Sequence, residues 1–150
     1  MKKFLLYVIL FLTLVGAVDA GYLLIETMRG EAVVCPSIPV GRFNLNQCNI
    51  VLATPYAKTF GLPNALYGLT AYLIFVILVL YELNRKQKTG SIKLLSYLSG
   101  LGFLTFIYFI YLQLFVIEAL CFYCLLSAPT MVLIFILSVA YNTRDSIESV

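Results

Sequence analysis

Four uninterrupted apolar runs decide what this chain can become. They cover roughly residues 4–25, 63–83, 92–117 and 119–141. A bilayer core about 30 Å thick is crossed by about 20 residues of helix at 1.5 Å rise each, so every run is long enough to span. Hydrocarbon offers the backbone no hydrogen-bond partner, and a helix satisfies every peptide group internally. The alternative, a closed β-barrel, would show alternating segments of about ten residues, whereas these runs are continuous. Composition agrees: hydrophobic residues make up 62% of the chain and charged residues 11%, against about 25% charged in soluble domains. The length suits one domain. The expected fold is all-α and integral to a membrane, a four-transmembrane-helix bundle forming a single membrane domain over residues 1–150.

The first run has a rival reading. Lys2 and Lys3, an apolar stretch and Val18-Asp19-Ala20 resemble a secretory signal with a small-residue cleavage site. The apolar run resumes after Asp19 through Gly21-Tyr22-Leu23-Leu24-Ile25, which makes it long enough to span. A retained first helix is the expectation.

Basic residues set the orientation. In a four-span arrangement Lys2, Lys3, Arg85, Lys86, Lys88, Lys93 and Arg144 fall on one side, and Arg29, Arg42 and Lys58 on the other. The Lys/Arg-rich side is cytoplasmic. Both termini are therefore expected in the cytoplasm, with the protein in the cell (inner) membrane. The net charge of +3 reflects this anchoring and gives no sign of nucleic-acid binding.

That topology brings four thiols to one face. Cys35 and Cys48 lie in the long segment between spans one and two, and Cys121 and Cys124 at the turn between spans three and four. Both places are extracytoplasmic, where disulfides persist. Permanent structural disulfides are one reading, and for Cys35/Cys48 alone it stands level with a redox role. Cys121-Phe122-Tyr123-Cys124 closes only a tiny loop, so a staple there gains little loop-closure entropy. The motif also opens a helix, where N–H groups and the helix dipole favour a thiolate, and positions i and i+3 share a face. This is the layout of a redox dithiol. The chain has no histidine, which removes histidine-ligated haem, histidine metal sites and histidine as general base.

The outer segment, about residues 26–62, is too apolar for a plain linker. Residues 44–58 read as a short helix with Asn44 or Asn46 as its cap, and Ile50, Val51 and Leu52 resting on the membrane surface. Thr54-Pro55 breaks it, because a residue before proline avoids the helical region. Gly61-Leu62-Pro63 turns into span two, with Pro63 at a tolerated first-turn position. An interfacial amphipathic helix is one reading. The apolar face and the nearby thiols favour the other, an extracytoplasmic half-helix lid over a cavity in the bundle, and that is the expectation.

Cys48-Asn49-Ile50-Val51-Leu52-Ala53-Thr54-Pro55-Tyr56-Ala57, then Phe60-Gly61-Leu62-Pro63 and Asn64-Ala65-Leu66-Tyr67-Gly68, resemble the vitamin K epoxide reductase family in its bacterial and archaeal form. Cys121-Phe122-Tyr123-Cys124 with Leu125 to Ala128 resembles its redox motif, and Gly16 to Leu24, with Asp19 and Tyr22, its first span. The resemblance implies a four-helix bundle around a quinone, with a surface half-helix as lid. It implies a thiol relay from a thioredoxin-like or DsbA-like partner to a membrane quinone such as ubiquinone or menaquinone, supporting disulfide formation. By the same resemblance Cys124 faces the quinone, Cys121 takes electrons from Cys48, and Cys35 exchanges with the partner. Thr54 stands where the family usually has a serine, and Asn64 resembles an asparagine that hydrogen-bonds the quinone in some members. The gap between Cys35 and Cys48 is wider than is usual in the family. The expectation is a form without a fused thioredoxin-like domain, and so a separate partner.

Two other classes compete. In a DsbB-like quinone reductase the CxxC lies in the first outer loop, the reverse of the order here. A non-enzymatic membrane subunit would hold its cysteines as permanent disulfides. Four thiols could also hold a metal or cluster, but the expectation is no metal. Among the remaining residues, Asp19 is either an intramembrane functional carboxyl or merely interfacial. Asn64 is either a ligand or a helix-start residue. Pro129 is expected to kink span four, and Glu118 to be a solvated helix-end charge.

Overall fold

The computed structural model describes residues 2–41, 43–84 and 90–147. Arg42, Arg85, Lys86 and Lys88, which carry part of the orientation argument, lie outside the described residues. Four long helices form the frame: α1 (Lys2–Arg29), α3 (Asn64–Asn84), α4 (Ser91–Tyr111) and α5 (Phe122–Ile147). Each contains a stretch long and apolar enough to cross a membrane. Helix α1 continues four residues beyond the expected end of the first run, and α3 is shifted by one residue. Helix α4 gives way at Leu112 to a π turn that reaches Val116, and α5 starts three residues later and ends six residues later than expected.

The packing follows from the spacing of side chains along each helix. On α1, Leu6, Ile9, Thr13, Gly16, Ala20 and Leu23 are buried, three or four residues apart and so on one face. Phe4, Phe11, Val18 and Ile25 form the opposite, exposed stripe. A helix apolar on every face belongs in lipid. Helix α1 lies against α3 and α5, and α4 against α5 and α3, which closes the ring of four. Tyr72, Phe75 and Val79 of α3, Ile92 and Leu95 of α4, and Ile134 of α5 fill the centre with the inner face of α1. Gly16 permits the closest approach: a Cβ there would collide with the Tyr72 ring.

The segment joining α1 to α3 folds across one end of the bundle. Strands β1 (Pro39–Val40) and β2 (Phe43–Asn44) pair antiparallel, α2 (Cys48–Ala53) follows, a 3-10 turn covers Pro55–Ala57, and β3 (Lys58–Thr59) pairs with β4 (Leu62–Pro63). The β3–β4 turn places Phe60 at φ 52° and Gly61 at φ 82°. Two successive positive φ values match the right-handed twist of a two-residue hairpin.

The half-helix is shorter than the 44–58 expected. Asn44 is taken into β2 and the Asn46 backbone bridges to Cys121, so neither caps α2. Gln47 takes that position without a side-chain cap, and the helix ends before Thr54-Pro55 as expected. Helix α3 starts at Asn64, one residue after Pro63. Pro129 lies inside a continuous α5. Glu118 is exposed with φ 54°, in the turn between the last two spans.

Candidate redox site

The four cysteines meet at one end of the bundle. Cys35 and Cys48 are joined as a disulfide with Cα atoms 6.4 Å apart, inside the range such a bond requires. Cys48, the first residue of α2, is fully buried, whereas Cys35 is half-buried. The neighbouring Asn49 holds the incoming chain. Its Oδ1 accepts from Val33 N–H at 2.7 Å and its Nδ2 donates to the Val33 carbonyl at 3.2 Å. One amide thus reproduces a backbone pairing two residues before Cys35.

Cys121 and Cys124 are free thiols. Cys121 immediately precedes α5 and is fully buried in the same apolar cluster as Cys48, Val33 and Val51. Two bonds dock the outer segment on this turn: the Asn46–Cys121 backbone bridge, and Gln47 Oε1 accepting from Leu120 N–H at 3.3 Å. Cys48, two residues from that bridge, is therefore held close to Cys121.

The Cys121 sulfur sits where a helix cap belongs. Cys124 N–H donates to it at 3.4 Å, in the region where helix N–H groups have no carbonyl partner. The Cys124 thiol, and then the Cys124 and Tyr123 backbone N–H groups, hold the Cys121 thiol below its ordinary value against burial and the Asp19 charge. That follows from hydrogen bonds that favour the charged form.

Beside the dithiol lies an apolar cavity of about 570 Å³, with Cys124 on its wall and Cys121 outside it. Val51 and Leu52 of α2 line its end, α3 and α4 its sides, and Gln113 and Ser127 the wall near Cys124. The cavity is inside the usual size range of small-molecule sites, which are mostly apolar with few polar groups. An isoprenoid quinone ring fits that description.

Thr54 and Asn64, the two polar residues singled out in the sequence, both line the cavity. Thr54 Oγ1 donates back to the Val51 carbonyl at 2.7 Å. Asn64 Nδ2 donates to the Tyr56 carbonyl at 2.7 Å, and its Oδ1 accepts from Thr59 Oγ1 at 2.6 Å. Both therefore organise the covering segment, and Asn64 also opens α3, with one amide hydrogen still available to a ligand.

Asp19 stands out in the sequence, whereas Ser127, Tyr72, Tyr123 and Gln113 carry little signal there. Asp19 is buried within α1, well inside the span, and accepts a hydrogen bond from Ser127 Oγ. Its second oxygen has no hydrogen-bond partner among the described residues. Ser127 lies one turn beyond Cys124, and its carbonyl accepts from Tyr72 Oη at 3.3 Å. Tyr123, between the two cysteines, packs against Tyr22 with ring centroids 5.1 Å apart and planes tilted by 52°, and donates to the Val34 carbonyl at 3.0 Å. Gln113, a lone amide in an apolar run, accepts from Cys121 N–H at 2.9 Å. Among the described residues, no three His, Cys, Asp or Glu side chains gather in a way that could hold a metal ion.

The family model described as Vitamin K epoxide reductase family matches residues 7–139. The chain belongs to that family. The match spans α1 through most of α5 and includes all four cysteines. Comparison with curated proteins gives no match. Membership implies a thiol-dependent quinone oxidoreductase, and the four candidate spans fit a multi-pass membrane protein.

Proposed function

We propose that this protein is a thiol:quinone oxidoreductase that draws electrons from a separate thioredoxin-like or DsbA-like protein, passes them through its two cysteine pairs, and delivers them to a membrane quinone. The observation that carries the reading is the split position of the CxxC pair. Cys124 is on the wall of the apolar cavity, while Cys121 packs with Cys48 of the outer disulfide.

The relay balances at each exchange. A thiolate of the partner attacks Cys35, the more exposed sulfur, and the Cys35–Cys48 bond breaks to free Cys48. The partner's second thiol resolves the mixed disulfide and leaves the partner oxidised. Cys48 then attacks Cys121 of an oxidised Cys121–Cys124 pair and releases Cys124. Cys35 closes again on Cys48, which frees Cys121. The net result is a Cys121/Cys124 dithiol and a Cys35–Cys48 disulfide, the arrangement described here. Returning to the disulfide, Cys121 and Cys124 give up two electrons and two protons, and a bound quinone supplies the acceptor for both. Thr54 and Asn64 keep the covering segment in place over the cavity, and Asn64 offers it one remaining amide hydrogen.

The same reading places the protein in the cell membrane with both termini cytoplasmic and the four thiols outside, so that it supports disulfide formation there. Purified protein with a reduced thioredoxin-like donor and a prenylated quinone tests it. Wild type reduces the quinone and Cys124→Ala abolishes the reaction. Cys35→Ala blocks the protein donor but spares a small dithiol that reaches Cys121/Cys124 directly. Equal activity of Cys35→Ala with the protein donor overturns these roles.

A further inference from the structure

Gln113 occupies an unusual place in the backbone. Helix α4 ends in a π turn over Leu112–Val116, a distortion that is frequent at functional sites. Gln113 is 3% exposed there and lines the cavity. Its main-chain carbonyl accepts from Ala119 N–H at 3.1 Å, and its Oε1 from Cys121 N–H at 2.9 Å.

The second bond settles which end of the amide is which. A backbone N–H needs an acceptor, so the oxygen faces Cys121 and Nε2 points away from it. No described residue accepts a hydrogen bond from Nε2. The described side-chain atoms that are fully buried without a partner do not include Nε2, so it opens onto free space, and the space that Gln113 lines is the cavity. A ligand that shuts off this N–H without accepting from it loses free energy. Thr54, Thr59, Tyr67, Tyr72 and Ser127, which line the same cavity, each give their one donor to a protein oxygen, and Asn64 gives one of its two amide hydrogens to the Tyr56 carbonyl.

We infer that Gln113 Nε2 donates to a carbonyl oxygen of the quinone, which makes Gln113 a substrate-binding residue. The inference rests on the quinone reading above. An amide that accepts at its oxygen is a stronger donor at its nitrogen, so the Cys121 bond strengthens the contact. A donor on that oxygen also favours the negative charge that grows there as electrons arrive. One side chain thus fixes the backbone of the redox turn with its oxygen and the substrate with its nitrogen, which sets the quinone ring beside Cys124.

The test measures binding to the full chain with its cysteines oxidised, so that no turnover occurs. The ligands are a prenylated quinone and the aromatic hydrocarbon that carries the same tail without carbonyls. Gln113→Met keeps the length and removes the donor. Gln113→Asn keeps an amide too short to reach both partners. In each variant quinone affinity falls about three- to tenfold, the worth of one hydrogen bond, while hydrocarbon affinity changes by less than about twofold. The infrared stretch of one quinone carbonyl rises toward its free frequency. Equal losses for both ligands with an unchanged carbonyl stretch would mean that Gln113 only props the turn, and would overturn the inference. If neither variant folds, wild type with isotope-labelled glutamine decides: its side-chain amide bands shift with the quinone and not with the hydrocarbon, and unmoved bands overturn the inference. A wild type that binds no quinone contradicts the proposed function itself, and one that binds it with no contribution from Gln113 contradicts this assignment alone.

Discussion

At the residue scale, a buried carboxyl and a buried sulfur explain most about the site. Asp19 lies in a membrane-spanning helix, where an ionisable group is expensive and usually functional. Its acceptance of the Ser127 hydroxyl ties α1 to α5 beneath the dithiol. Asp19→Asn keeps an acceptor, whereas Asp19→Ala leaves Ser127 without one. The alanine variant is expected to lose about 1–3 kcal/mol and the asparagine variant much less, measured by thermal unfolding in detergent. Equal stability of Asp19→Ala and wild type contradicts this. For Cys121, hydrogen bonds hold the thiol below its ordinary value, with Cys124 as the first cause. The thiolate is therefore present at lower pH than for an ordinary cysteine, and Cys124→Ala moves its titration upward. With Cys35–Cys48 left oxidised, thiolate ultraviolet absorbance against pH reads this directly, and a midpoint that stays put or falls rules it out. Asp19 was visible in the sequence as a charge in an apolar run, but its depth and its bond to Ser127, 108 residues away, were not. Gln113 and Ser127 were missed because a single polar residue in such a run carries no information about its partner.

At the element scale, the covering segment depends on few bonds. Helix α2 has six residues, too short to be stable alone, so packing and side-chain bonds hold it. Asn49 provides two of them, both to Val33. Asn49→Ala is expected to loosen the segment, so that a protease cleaves residues 30–47 several-fold faster. Electron transfer from a protein donor slows while transfer from a small dithiol is kept. Unchanged cleavage refutes the clamp. The four spans were legible because lipid imposes one solution on a long apolar run. Their starts fell within three residues of expectation, whereas α5 runs six residues further than expected. The half-helix was overextended because Asn44 and Asn46 suit caps locally, yet both serve pairings made in the folded state: β1–β2 and the bridge to Cys121.

At the scale of the whole molecule, the bundle brings residues 35 and 48 to the same end as 121 and 124, as the topology argument required. Four antiparallel spans leave Lys3, Lys93 and Arg144 at the other end, the side read as cytoplasmic. A membrane-impermeant thiol reagent applied to intact, reduced cells is expected to label Cys35 most readily, and a reporter fused after residue 150 to report the cytoplasm. A reporter signal from outside contradicts the orientation. The pairing of Cys35 with Cys48 was open between staple and relay in the sequence, since spacing alone does not distinguish them. Proximity to Cys121 is what favours the relay.

That proximity leads to the most direct measurement. If electrons pass from Cys48 to Cys121, the exchange runs through a Cys48–Cys121 disulfide. In a Cys35→Ala, Cys124→Ala double variant each of these thiols has lost its alternative partner. Under mild oxidation, mass spectrometry of the digested protein should find residues 48 and 121 cross-linked in most molecules. The bond demands Cα atoms within about 7 Å, so near-complete formation also tests the docking of α2 on the redox turn. Both thiols recovered free would show that Cys48 does not reach Cys121, and would reduce the outer disulfide to a staple.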